Sequence, residues 1–223
     1  MKLDPVLLSM GCRYAAKAYD ESIKDTKKIE SIMTSTTVFV AKRKSIDVIA
    51  FRGSQQKTDF FFDGFAVPLP FGGRLCHGGF VIALKSVWDE LKPHINYEKR
   101  TLICGHSLGG ALAELTALKL HTRHENLNLV TFGKPNTFFK GFKQPLGLDK
   151  QYSVVHGSDM VARIPRLLYG PSCSQTQVYF TNKGELVLNP SKELKRADFL
   201  SEPDEAVSDH FMAGYKASVN SIA

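Results

Sequence analysis

Residues 102–112 are Leu-Ile-Cys-Gly-His-Ser-Leu-Gly-Gly-Ala-Leu, and this stretch decides the fold. It contains the pattern Gly-x-Ser-x-Gly, in which Ser107 stands between Gly105 and Gly109. The apolar residues before the pattern predict a short buried strand over 101–105, and the periodic apolar residues after it predict a helix over 108–120. A serine between a strand and a helix in this pattern is typical of a nucleophile elbow, a sharp turn that exposes the hydroxyl group.

The residue types around Ser107 suit such a turn. A strained strand-to-helix turn needs neighbours without bulky side chains, and Gly105 and Gly109 provide that space. The N-terminus of the following helix places backbone N–H groups and the positive end of the helix dipole beside Ser107. A negative charge that develops on an oxygen atom there would be stabilised. His106, the residue directly before Ser107 in the elbow, is predicted to point away from Ser107 across the turn.

Strands and helices alternate on both sides of the elbow. Strands are predicted over 36–42, 46–52, 127–132, 152–156, 177–181 and 185–188, and helices over 5–20, 80–91, 192–200 and 208–219. This alternation favours an α/β fold, with a mixed, mostly parallel sheet flanked by helices. No linker or internal boundary is evident, so residues 1–223 are expected to form a single compact domain.

The composition is that of a globular protein and excludes several other classes. Of 223 residues, 43% are hydrophobic and 23% are charged, which argues against disorder, collagen and coiled coil. No run of 18 apolar residues occurs, so no membrane-spanning helix is expected. The net charge of +7 allows peripheral contact with an anionic membrane. Nucleic-acid binding is not expected, because no recognition motif accompanies the basic residues.

The cysteines and the N-terminus bear on the compartment. Four cysteines, at positions 12, 76, 104 and 173, match no metal or redox spacing. No secretory signal is recognisable at the start of the sequence. Free thiols and a cytoplasmic location are therefore expected, with non-classical delivery outside the cell as the alternative.

A serine hydroxyl needs a base to act as a nucleophile, and seven histidines are available. In hydrolases with such an elbow the chain order is serine, then acid, then histidine. Only His156 and His210 lie well beyond Ser107, and the need for an intervening acid favours His210. Asp159 follows the predicted strand that ends at His156, where a parallel sheet would place its acid.

Three other aspartates are weaker candidates for the acid. Asp149 precedes its strand, and Asp198 lies in a predicted helix. Asp209 adjoins His210 and is expected to cap the last helix. The sequence therefore favours Asp159 and leaves Asp149 and Asp198 as alternatives.

Six blocks of the sequence, in order, resemble the class 3 lipases, a family that includes fungal triacylglycerol lipases and type-A feruloyl esterases. The blocks are Val48–Ser54 (VIAFRGS), His77–Phe80 (HGGF), Gly105–Leu112 (GHSLGGAL), Thr131–Pro135 (TFGKP), His156–Pro165 (HGSDMVARIP) and Asp209–Phe211 (DHF). The resemblance implies an α/β-hydrolase fold. The blocks are spread over most of the range 48–215, and together they are more specific than any one of them alone.

The resemblance also implies a site and a reaction. It implies a catalytic triad of Ser107, His210 and Asp159, and an oxyanion hole formed by the backbone N–H groups of Ser54 and Leu108. The expected reaction is hydrolysis of a lipid ester, an acylglycerol or a phospholipid, through an acyl-enzyme and without a cofactor or metal. The alternatives are a small-ester carboxylesterase and a non-catalytic binding module at an anionic membrane.

Residues 55–65 occupy the place of the lid that covers the serine in these lipases. Phe60, Phe61, Phe62 and Phe65 are candidates for its apolar face and for contact with an acyl chain. The alternative is that two or three of them fill the core. Three consecutive phenylalanines cannot all face inward on one short helix, so at least one is expected to be exposed or to line the underside of the lid.

Overall fold

The computed structural model describes residues 3–54, 67–140, 146–164, 168–170 and 175–222. Its α-helices are α1 (Pro5–Tyr19), α2 (Gly78–Leu91), α3 (Leu108–Leu120), α4 (Lys192–Ser201) and α5 (Met212–Asn220). Its strands are β1 (Thr26–Ser31), β2 (Thr36–Ala41), β3 (Asp47–Phe51), β4 (Pro68–Phe71), β5 (Arg74–His77), β6 (Thr101–His106), β7 (Leu127–Phe132), β8 (Phe138–Phe139), β9 (Lys150–His156), β10 (Tyr169–Gly170), β11 (Thr176–Phe180) and β12 (Leu186–Leu188). The predicted lid phenylalanines, Phe60, Phe61, Phe62 and Phe65, lie outside the described residues.

The main sheet has eight strands in the order β1-β2-β3-β6-β7-β9-β11-β12. Strands β3, β6, β7, β9 and β11 are parallel to one another, and β1, β2 and β12 pair antiparallel with their neighbours. A second, antiparallel sheet has the order β10-β8-β5-β4. The predicted mixed, mostly parallel sheet is confirmed.

Helices cover both faces of the main sheet, so its central strands are buried on both sides. In β6, the side chain of Ile103 packs in the core beneath α2 and α3, whereas that of Cys104 packs in the core beneath α1 and α5. Leu129 and Val130 divide in the same way in β7. Near-continuous apolar strands of this kind are typical of parallel sheets with helices on both faces.

Strand β1 and the second sheet were not predicted from the sequence. Strand β1 is an edge strand, and within it only Ile29 is buried, so no apolar alternation marks it. Strand β4 contains Pro68 and Pro70, which argue against a strand in sequence. Strand β4 lies at the edge of the small sheet, so within the described residues the backbone N–H groups on its outer side have no strand to pair with. Proline, which lacks this N–H group, is tolerated at such positions.

The parallel strands bring distant parts of the chain to one edge of the main sheet. Phe51 at the end of β3 lies opposite Gly105 near the end of β6, and His106 lies opposite Phe132 at the end of β7. We call this side the carboxyl edge, because the parallel strands end there. Ligands bind at this edge in open α/β sheets, so the segments that follow these strands form the candidate site.

Candidate active site

Ser107 lies at the turn between β6 and α3, with φ 56° and ψ −129°. Positive φ is unfavourable for a residue with a side chain, so the surrounding structure must impose it. A Cβ atom on Gly105 would lie 2.3 Å from the carbonyl oxygen of Gly109, and one on Gly109 would lie 2.4 Å from that of Phe51. These two close contacts explain why the pattern places glycine on both sides of the serine.

The structure brings Ser107 together with His210 and Asp159, which lie far from it in sequence. His210 Nε2 is 2.9 Å from Ser107 Oγ, and His210 Nδ1 is 3.0 Å from Asp159 Oδ2. When the neutral ring carries its proton on Nδ1, it donates to Asp159 and accepts from the serine hydroxyl. All three side chains are buried, and Asp159 is completely inaccessible. This geometry suits general-base activation of the serine.

The carboxylate of Asp159 accepts hydrogen bonds from several donors besides His210. Oδ1 accepts from the backbone N–H groups of Val161, at 2.8 Å, and Ala162, at 3.3 Å. Oδ2 accepts from the hydroxyl of Tyr215 in α5. A buried carboxylate needs such partners, because an unsatisfied charge in the interior is strongly unfavourable. The donors also restrict the orientation of the carboxylate that His210 contacts.

His106 supports the site from behind rather than contacting the serine hydroxyl. Its Nε2 lies 2.7 Å from the backbone oxygen of His210, and its Nδ1 lies 2.7 Å from the hydroxyl of Tyr19 in α1. Because a carbonyl oxygen only accepts, Nε2 carries the proton and Nδ1 accepts from Tyr19. Burial lowers the pKa of His106 to about 3, so the ring remains neutral near pH 7. The roles of Tyr19 and Tyr215 were not predicted, since no local pattern marks them.

The expectation that Asp209 caps the last helix is wrong. The predicted helix over 208–219 begins only at Met212, because Phe211 has an extended backbone, with φ −69° and ψ 139°. Asp209 instead accepts a hydrogen bond from the backbone N–H of Ser158 and lies 3.3 Å from Nδ1 of His156. Burial raises the pKa of Asp209. The residue thus ties the loop that carries Asp159 to the segment that carries His210.

The alternative acids lie elsewhere. Asp198, in α4, accepts hydrogen bonds from the hydroxyl of Tyr179 at 2.7 Å and from the backbone N–H of Asn182 at 3.1 Å. Asp149 precedes β9 and therefore lies at the opposite edge of the sheet from the nucleophile elbow. The hydrogen-bond geometry at His210 favours Asp159 over both.

Ser54 and Leu108, the residues predicted to form an oxyanion hole, both follow strands that end at the carboxyl edge. Ser54 follows β3 by three residues and is half-buried, and Leu108 is the first residue of α3. The first N–H groups of a helix have no carbonyl partner within the helix and are available to an anion. Because β3 pairs with β6, both backbone segments emerge beside Ser107.

Within the described ranges, no group of three or more His, Cys, Asp and Glu side chains is placed to hold a metal ion. Two histidines close in sequence, His121 and His124, have separate hydrogen-bond partners. His121 Nδ1 lies 2.6 Å from the carbonyl of Leu118, and His124 Nε2 lies 3.0 Å from the hydroxyl of Thr101. None of the helices in the described part of the chain is long and apolar enough to cross a bilayer.

Residues 48–169, more than half of the chain, match the model of the lipase (class 3) family. The chain belongs to the class 3 lipase family. It is 28% identical over 214 residues to a lipase from Rhizomucor miehei, an alignment that covers 85% of this chain and 58% of the relative. It is 33% identical over 118 residues to secreted mono- and diacylglycerol lipase 1 from Fusarium solani, which covers 45% of this chain and 35% of the relative. The chain thus spans little more than half the length of the first relative and about a third of the second.

The fold of this class 3 lipase is that of the solved fungal lipases. Lipase II from Rhizopus niveus superimposes with a TM-score of 0.76 at 19% identity, over 93% of this chain and 94% of that structure. The α/β-hydrolase fold implied by the sequence blocks is therefore confirmed.

The expectation of a cytoplasmic location is contradicted by the comparisons. The Fusarium solani relative is a secreted lipase, which points to the extracellular space instead. The cysteines were weak evidence for a cytoplasmic location, for a physical reason. Cys12, Cys76 and Cys104 are free and buried, and Cys173 lies outside the described residues. Buried thiols behave as small apolar core residues, so their free state does not report the compartment.

Replacement of Tyr215 by phenylalanine should weaken the site without changing its shape. The variant removes one donor from the buried carboxylate of Asp159, and an unsatisfied buried acceptor costs about 1–3 kcal/mol. We expect kcat for a soluble ester to fall by about tenfold, equivalent to ~1.4 kcal/mol of transition-state stabilisation. Tyr14→Phe is the matched control, because its hydroxyl accepts a hydrogen bond from Arg43, far from the site. Equal kcat values for the two variants would show that Tyr215 does not position Asp159.

The stability of the protein should decrease in acid because of His106. The folded state holds the pKa of His106 at about 3, below the ordinary value of 6.5, so between these values the unfolded chain binds more protons. The free energy of unfolding should therefore fall as the pH is lowered from about 6.5 towards 3, by up to ~1.4 kcal/mol per pH unit from this group.

Urea denaturation of the protein between pH 7 and pH 4 measures this slope. His106→Gln retains a donor and an acceptor but does not titrate, so its slope should be shallower by about one proton. His121→Gln, at the end of α3, serves as the control variant. A slope in His106→Gln as steep as in the control would exclude His106 as the cause.

Proposed function

We propose that this class 3 lipase hydrolyses carboxylic esters of lipids, with acylglycerols as its substrates. The observation that carries the proposal is the continuous chain of hydrogen bonds from Ser107 Oγ to His210, at 2.9 Å, and from His210 to Asp159, at 3.0 Å. Membership of the family and the names of the two curated relatives, both lipases, support the same reaction.

The first half of the reaction forms an acyl-enzyme. His210 Nε2 removes the hydroxyl proton of Ser107 as Oγ attacks the ester carbonyl carbon, and the carbonyl oxygen becomes an oxyanion. The backbone N–H groups of Ser54 and Leu108 donate hydrogen bonds to this oxyanion. His210 then gives its proton to the alkoxy oxygen, the carbon–oxygen bond breaks, and the alcohol leaves.

The second half releases the acid. His210 accepts a proton from water, and the resulting hydroxide attacks the acyl carbon of the ester bond to Ser107. Collapse of the second oxyanion breaks that bond, and the proton returns from His210 to Ser107 Oγ. Asp159 keeps the ring of His210 oriented and stabilises its charged form in both halves. His210 takes part in every proton transfer in this scheme.

The class of lipid follows from less direct observations. The Fusarium solani relative is named for monoacylglycerols and diacylglycerols, which favours neutral acylglycerols for this chain. The net charge of +7 favours a second candidate, a phospholipase A acting at an anionic membrane, because basic proteins accumulate at such surfaces. The two candidates share the same catalytic groups and differ in the surface at which the enzyme works.

Substitutions in the triad should abolish hydrolysis of p-nitrophenyl esters. Ser107→Ala and His210→Ala should each lower kcat by about 10⁴-fold or more, because the serine and its base act as one unit. Asp159→Asn should have a smaller but still large effect. Circular dichroism of each variant separates loss of chemistry from loss of fold. Full activity of His210→Ala would show that another residue is the base.

Comparison of substrates tests the lipid class. We expect faster hydrolysis of the C16 than of the C4 p-nitrophenyl ester, and release of fatty acid from emulsified diacylglycerol, with Ser107→Ala as the blank. Faster release from anionic phospholipid vesicles than from diacylglycerol would favour the phospholipase. Activity on the C4 ester alone would show a small-ester esterase, and failure of Ser107 to react with a fluorophosphonate would show a binding module.

A further inference from the structure

Two adjacent apolar side chains at the turn between β1 and β2 are almost completely exposed. Ile32 is 95% exposed and Met33 is 91% exposed, the highest values for large apolar side chains in the described part of the chain. Single exposed aliphatic residues are common on protein surfaces. A tight turn, however, ordinarily carries Gly, Asn, Asp or Ser at its tip, and none of these stands at the two positions. We call Ile32 and Met33 the apolar tip.

The apolar tip lies at the same edge of the main sheet as the nucleophile. Strand β2 is antiparallel to β3, with Val38 opposite Phe51, so β2 begins at the edge where β3 ends. The backbone N–H of Arg52, just beyond β3, donates to the carbonyl of Thr37 at 3.0 Å. The turn that precedes β2 therefore extends from the carboxyl edge, on which Ser107 also lies.

The turn is fixed to the body of the protein. The hydroxyl of Thr34 lies 2.9 Å from that of Thr36 and 2.7 Å from that of Ser86 in α2. The hydroxyl of Ser86 donates to the carbonyl of Ala83, so it accepts from Thr34. A turn held in this way presents its apolar side chains with little further loss of entropy on binding.

The charges beneath the apolar tip are balanced. Glu21 pairs with Lys28 at 2.9 Å and with Arg52 at 2.7 Å. Glu30 pairs with the same two cations, at 3.2 Å and 3.6 Å. Two cations balance two carboxylates, so this cluster carries no net charge. An uncharged lipid surface suits an apolar tip that stands above a charge-balanced cluster.

A third exposed apolar side chain adjoins the site in sequence. Phe211 directly follows His210 and is 62% exposed. Ile32 and Met33 are carried by the turn before β2, whereas Phe211 is carried by the segment before α5. Exposed apolar side chains thus belong to two separate segments next to the catalytic edge, an arrangement that suits a flat apolar surface rather than a pocket.

We propose that the apolar tip is an anchor that inserts into the surface of neutral lipid aggregates and holds the carboxyl edge against its substrate. This inference rests on the proposed function, since it takes a water-insoluble lipid as the substrate. Insertion removes both side chains from water, and the free energy gained is proportional to the apolar area buried. The anchor belongs to the β1–β2 turn, which Thr34 fixes to α2.

Adsorption of catalytically inactive protein to diolein emulsions tests the anchor. The Ser107→Ala protein keeps the lipid surface unchanged during the measurement. Ile32→Ser and Met33→Ser together in this background should lower the partition coefficient by at least tenfold. Val6→Ser is the matched control, because Val6 is 73% exposed but lies in the first turn of α1, close to Asp4, which pairs with Lys150 at the start of β9 and thus at the opposite edge. The control should adsorb like its parent.

Several results would overturn the proposal. Equal partition coefficients for the double variant and for Val6→Ser, with equal melting temperatures, would show that the apolar tip does not enter lipid. Adsorption to anionic but not neutral vesicles would assign binding to the basic residues. Sedimentation showing a dimer that the double variant dissociates would assign the apolar tip to self-association. Hydrolysis of soluble p-nitrophenyl butyrate by the unsubstituted protein tests the ester-hydrolase chemistry of the proposed function separately from the anchor, because that ester requires no surface.

Discussion

The close approach of the backbone at Gly105 and Gly109 is the constraint on which the rest of the site depends. A Cβ atom on Gly105 would lie 2.3 Å from the carbonyl oxygen of Gly109, so α3 can begin this close to β6 only if the side chain is absent. The tight turn holds Ser107 at positive φ, a conformation that costs about 1–3 kcal/mol and persists because buried elements on both sides enforce it. The result is a serine hydroxyl directed at His210, with the first N–H groups of a helix beside it.

The second requirement is a buried carboxylate in a fixed orientation. Asp159 joins the loop after β9 to the segment that carries His210 and Tyr215, because it accepts from the backbone N–H of Val161 and contacts both of those side chains. His106 supports the backbone of His210 from the other side and is itself bound by Tyr19. Few of these groups contact water, so the hydrogen bonds are strong and the loss of any one leaves a partner unsatisfied. Catalytic geometry and local stability are therefore properties of the same network.

The elements that could be predicted from the sequence are those whose pattern is local. The central strands are short apolar segments and α3 has periodic apolar residues, each of the length expected for its type, and the structure confirms them. Strand β1 was not predicted because, as an edge strand with one buried side chain, it lacks apolar alternation. Strand β4 was not predicted because proline argues against a strand, although it is tolerated at an edge where few backbone donors are required. Asp209 was misassigned because the backbone at Phe211 interrupts a helical pattern that continues in sequence.

By itself, the sequence determined the nucleophile elbow, the α/β alternation and the order of serine, acid and histidine. These features depend on residue spacings of a few positions and on the steric demands of glycine, which are the same in any fold that contains the turn. Only the tertiary structure decided that Tyr19 and Tyr215 share the site, since the hydrogen bonds that place them join residues 87 and 56 positions apart. It also decided that the apolar tip lies on the side of the nucleophile. Both facts follow from how the strands pair and the helices pack, and no local pattern of residues carries that information.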